Sequence, residues 1–268
     1  MYNQKPSMTV RYEINPPKIS DDGHVHYANQ FGNAGTVMFE RVKTISSVCD
    51  GIHLTDSVLG IPRISPFQIA NQIRKSDKNI KLTCSLRVRD KNLNDIEKIV
   101  ERSVGTVDGI LVLMGDTSAS TIHQREVYDR ASERNLVPSQ VVKALNDNGL
   151  GKKIELFLSI PSNPDFAKIT KKIDARPAGF VTQVIHSNDQ IERIVGYLGP
   201  IGFKIIPCLL LPSKNNVKSA EFLKIDWSNY ENDVVGFINK IHSVADDILI
   251  TSPNDFKRAY ETISKLAI

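Results

Sequence analysis

Glu13 stands two residues ahead of an Asn15-Pro16-Pro17-Lys18 stretch, at the end of the run VRYEIN. The prolines force the chain out of any sheet at that point, so the carboxylate sits at a strand end. Among apolar neighbours its pKa would rise, and it could serve as a general acid. The competing reading is an ion pair with Arg87 or Lys18, and periodicity does not separate the two. Met114-Gly115-Asp116 ends another apolar run. There a glycine would let a ligand come close to the backbone while Asp116 accepts hydrogen bonds; a turn-initiating aspartate is the alternative. Thr182-Gln183 presents an amide that both donates and accepts, which suits the edge of a heterocycle better than a metal. His186, three residues on, reads as a structural group rather than a base. Thr55 and Asp56 could hold ligand hydroxyls or phosphate, with capping as their competing use. Thr83 and Arg87 complete the polar set. His24 and His26 have no evident third ligand, so no metal is expected.

These side chains recur at comparable places because the chain repeats one unit. Eight β-rich runs begin at Val10, Gly51, Ile80, Gly109, Ile154, Gly179, Phe203 and Asp247. Between them, segments starting at Ser65, Leu93 and Pro138 carry apolar residues three and four apart, the period of an amphipathic helix. Strands alternating with helices imply a parallel sheet, and eight units in 268 residues match a single (β/α)8 barrel over 1–268. In such barrels chemistry sits at the carboxyl ends of the strands, where this polar set falls. Ser65 before Pro66 reads as an N-cap, Asn254-Asp255 opens the last helix and Asn148-Gly149 closes another. The connections 16–35 and 117–135 are long enough to build the mouth or a lid; whether Tyr27, Phe31 or His123 within them touches ligand stays open.

Composition narrows the classes. A net charge of +4 without a basic block argues against nucleic acid, and no apolar stretch reaches the span of a bilayer. The expected protein is soluble and cytoplasmic. Cys49, Cys84 and Cys208 are too far apart for a metal or redox pair, and the last two read as buried thiols within strands.

Taken in order, the motifs resemble the methylenetetrahydrofolate reductase family over essentially the whole chain. They are Tyr12-Glu13 with Pro16-Pro17-Lys18, Leu54-Thr55-Asp56 with Gly60, Lys81-Leu82-Thr83-Cys84, the LVLMGD run ending in Asp116, Lys172 to Ala175, and Val181-Thr182-Gln183. The resemblance implies reduction of 5,10-methylenetetrahydrofolate, or a related pterin, to the 5-methyl form in one-carbon metabolism. It implies Glu13 as the general acid and Asp116 beside the flavin and pterin. It further implies Gln183 and Phe222 on the substrate, and Thr55, Lys172 and Asp165 on FAD. Lys81, Met114 and Val137-Pro138 depart from the family's usual His, Arg and Tyr-Ala. Those departures fall on flavin binding, so FMN or no flavin stands beside FAD, with NADH or NADPH as electron donor. The alternatives are a pterin-dependent methyl transferase and a flavin-free pterin-binding subunit of a complex. A homo-oligomer also stays open.

Overall fold

Eight parallel strands close on themselves in chain order in the computed structural model, which describes residues 9–19, 32–89, 91–116, 136–245 and 247–266. The strands are β1 (Thr9–Ile14), β2 (Gly51–Leu54), β3 (Lys81–Arg87), β4 (Gly109–Leu113), β5 (Glu155–Ile160), β6 (Gly179–Val184), β7 (Lys204–Leu210) and β8 (Asp247–Thr251). Closure is made by β1 on β8, with Tyr12 opposite Ile250. The expected single (β/α)8 barrel is therefore the observed architecture, and each strand starts within one residue of its sequence run.

The described helices are α1 (Gly32–Ile45), α2 (Pro66–Ser76), α3 (Leu93–Ser103), α4 (Pro138–Asp147), α5 (Thr170–Asp174), α6 (Asn188–Leu198), α7 (Val217–Leu223), α8 (Val234–His242) and α9 (Phe256–Ile263). Each longer helix buries one stripe against the barrel, as Ile69, Ala70 and Ile73 do in α2 and Ile96 and Val100 in α3. Every such isoleucine removed from water contributes about 1.5–3 kcal/mol, which makes this seam the main source of stability. Helix entries are fixed by side chains: Asn92 accepts from the Asp95 N–H and Asp255 from the Arg258 N–H. Ser65 precedes α2 as expected, yet its hydroxyl makes no capping bond. Gly149 follows α4 with φ of 79°, the left-handed closure that Asn148-Gly149 predicts.

Two apolar layers result. The larger lies between strands and helices; the smaller fills the barrel with Leu111, Phe157, Val181, Ile206, Cys208 and Leu249. A Cβ on Gly109 would meet the Phe157 ring at 2.6 Å, so that glycine makes room for the largest side chain of the inner layer. All three cysteines are free and buried, in keeping with the thiol reading. No helix among the described residues is long and apolar enough to cross a membrane.

One irregularity sits near the mouth. Val181 pairs with Ile206 but Val184 pairs with Cys208, so β6 carries one extra residue there. The Thr182 hydroxyl fills the gap in the ladder by accepting the Cys208 N–H at 3.0 Å.

Candidate active site

The carboxyl end of the barrel brings β1 and β8 side by side, and there Glu13 meets Thr251. The threonine hydroxyl donates to Glu13 Oε1 at 2.7 Å across 238 residues of sequence. Burial raises the Glu13 pKa above the usual carboxylate range, and the Thr251 bond only partly opposes it. Neither Arg87 nor Lys18 forms an ion pair with it, so the ion-pair reading of Glu13 is set aside. The side chain remains half-buried, accessible from the mouth while packed low enough to lose most of its water. Below it lies Cys208, whose buried thiol is pushed well above its ordinary value, first by desolvation and then by the Glu13 charge.

Around this acid the loops are stitched together by other polar residues. Thr55 donates to Asn15 Oδ1 at 2.6 Å, joining the ends of β1 and β2. Asp56 accepts the Arg87 N–H at 3.2 Å and the Ser57 hydroxyl at 3.0 Å, tying the loop after β2 to the end of β3. Asp116 is exposed and accepts the Leu59 N–H at 2.8 Å, which binds the same loop to the end of β4. Leu59 can offer that amide because it takes a left-handed conformation, φ of 58°. Gly115, with φ of 85°, leaves room for the Arg87 side chain, which a Cβ would strike. The space expected for a ligand is thus taken by Arg87.

The remaining sequence-derived residues separate. Lys172 donates to the Ser159 carbonyl at 2.5 Å at the top of β5, and burial lowers its pKa. Gln183 is exposed, carried out by the extra residue in β6. Asp165 caps a short turn by accepting the Ala167 N–H and pairs with Lys168 at the surface. Phe222 lies on α7 with 67 % of its surface exposed. His186 is structural, its Nε2 against the Gln190 side chain and its carbonyl accepting from Asn229. His24, His26, Tyr27, Phe31 and His123 lie outside the described residues. Among the described residues no three His, Cys, Asp or Glu side chains form a metal-ligand set.

Two polar residues escaped the sequence reading. Thr251 is the last but one residue of the run DILITS, and barrel closure alone brings it to Glu13. His53 is buried within the barrel between the Thr83 and Ser85 hydroxyls, each at 2.9 Å. Burial drops its pKa to about 3, so it is neutral.

No family model matches the chain. No curated protein matches it either. Among solved structures it is similar to 2,3-dimethylmalate lyase, a member of the PEP mutase/isocitrate lyase superfamily, in two crystal forms. The triclinic form aligns at a TM-score of 0.52 and 11% identity, covering 91% of this chain and 75% of that one. The trigonal form aligns at 0.52 and 12%, covering 91% and 73%. At such identity the likeness carries the barrel alone. It corrects the expectation drawn from the motifs: the methylenetetrahydrofolate reductase resemblance is not upheld, because the barrels found belong to lyases and no reductase family matches. With it fall the oxidoreductase assignment, FAD or FMN, NADH or NADPH, and the folate or pterin substrate of both reductase and transferase readings. The physical reason is that short motifs such as LTD and GD are also what loop stitching requires. Thr55, Asp56 and Asp116 each hold a neighbouring loop by a hydrogen bond.

Proposed function

We propose that the chain is a lyase-type enzyme that cleaves a carbon–carbon bond in a small hydroxy acid, with Glu13 moving the proton. One observation carries this reading: a carboxyl whose pKa burial raises, at the barrel mouth, aligned by Thr251 and still reachable from outside. A neutral carboxylic acid donates where a carboxylate cannot. On cleavage, the bond's electron pair passes to the departing carboxylate fragment as an enolate, and the hydroxyl-bearing carbon becomes a carbonyl. Glu13 delivers its proton to the enolate carbon, and the resulting carboxylate takes up the hydroxyl proton, so the resting acid is restored. Thr251 holds the carboxyl through both transfers. The likeness to a 2,3-dimethylmalate lyase supports the reaction class by analogy of fold.

The test is incubation with 2,3-dimethylmalate and a panel of other 2-hydroxy dicarboxylates in deuterated buffer, followed by NMR. A 2-keto acid and a carboxylate carrying one deuterium at the former bond are expected. Glu13→Gln should slow the reaction by about 10²–10⁴-fold with the melting curve retained. Absence of cleavage and of deuterium exchange across the panel would refute the reading.

A further inference from the structure

Outside the barrel, α2 and α3 stand apart over Leu86 of β3 and leave a groove of about 940 Å³ that Glu13 does not line. That volume is at the upper end of small-molecule sites. Its lining is sharply divided in character. Phe67 and Ile99 offer an apolar wall, half-buried and packed on the core. Arg63 and Lys91 bring two positive charges at one end and Arg102 a third at the other, while Asp56, the carboxylate among the described lining residues, is already engaged by the Arg87 amide and the Ser57 hydroxyl. Arg63 is fixed through Nη1, which donates to the Pro16 carbonyl at 2.6 Å, and its Nε is buried with no hydrogen-bond partner. Lys91 and Arg102 form no ion pair among the described residues. An unmatched guanidinium N–H at the edge of a cavity is costly unless an acceptor reaches it.

From these features we infer that the groove is a binding site for a nucleoside phosphate, distinct from the barrel mouth. The phosphates meet Arg63 and Lys91, which precede α2 and α3 at the same end of the groove, and the Arg63 fork supplies the unmatched N–H. The base lies on Phe67, with the amides of Gln68 and Asn71 at its edge. An apolar wall with amides distinguishes this site from a plain anion patch, which would want charge alone.

Isothermal titration calorimetry on the full chain tests it with ADP, adenosine and inorganic pyrophosphate as probes. ADP should bind, and each half-molecule should bind roughly tenfold more weakly or worse, since each keeps only one set of contacts. Lys91→Glu, at the same end of the groove as Arg63, should weaken ADP by about tenfold or more by reversing a charge. Asn71→Trp, at an exposed position, should block the groove without touching the core. Glu13→Gln should leave ADP binding unchanged, which separates this site from the mouth. Failure of ADP to bind would overturn the inference. So would pyrophosphate binding as tightly as ADP, or affinity indifferent to both groove variants.

Discussion

The lower and upper halves of the barrel interior handle charge in opposite ways. Low in the barrel, Arg11 grips Asp247 through two parallel bonds of 2.9 and 2.8 Å, and Lys204 adds a third contact at 3.1 Å. Above them His53 has a hydroxyl on each ring nitrogen, so either tautomer is served. The free space among Arg11, His53 and Phe157 is about 10 Å³, room for one water at most. At the mouth, by contrast, Glu13 has one hydroxyl partner and no cation among the described residues. Pairing makes the lower charges structural. Burial without a paired cation among the described residues raises the Glu13 pKa, which favours its proton-bearing form.

The contrast breaks most visibly at Asp247. Asp247→Asn leaves the buried Arg11 without its counter-charge and should cost about 3–5 kcal/mol of stability in urea unfolding. A loss under about 1 kcal/mol would show that the pair is dispensable. A comparable effect comes from pH. His53 falls in the folded state to about 3 from 6.5, so its contribution is complete above 6.5 and is lost as pH drops toward 3. The slope should approach about 1.4 kcal/mol per pH unit, and His53→Gln should flatten it. Glu13 has the opposite sign: its folded pKa is raised, so its contribution is complete below 4.5 and fades as pH climbs through the folded value. Glu13→Gln should therefore gain on the parent protein as pH rises, and a parallel pair of stability curves would contradict a buried neutral acid. Smallest of all, Phe222→Ser should change stability by about 0.5 kcal/mol or less, because the ring is exposed. A larger loss, read from thermal melts, would mean that the mouth extends over α7.

The barrel was legible because its strands are covered on both faces and so read as short apolar runs, punctuated by helices with caps such as Asp255. Glu13 was legible for the same reason, as a lone carboxylate ending an apolar strand before two prolines. Its partner was not. Thr251 lies at the other end of the chain, and only closure of β8 on β1 brings it near. Asp116 and Asp56 stayed ambiguous because an aspartate that binds a loop amide and one that binds a ligand look alike in sequence. Asp165 was ambiguous in the same way, since its short turn needs a cap.

The extra residue in β6 works as a frameshift written in geometry. Up to Val181 the strand's odd positions face the barrel; beyond it the phase flips, so that Val184 packs on the inner layer and Ile185 on the outer one. Everything from Val184 onward, the path to His186 included, is dealt to the opposite side from the one that alternation assigns. Deleting one residue here would remove the bulge and leave Val184 inside and Ile185 outside, whereas regular pairing at full length would send Ile185 toward the interior. Rim composition at this strand is thus governed by the presence of the bulge as much as by residue type.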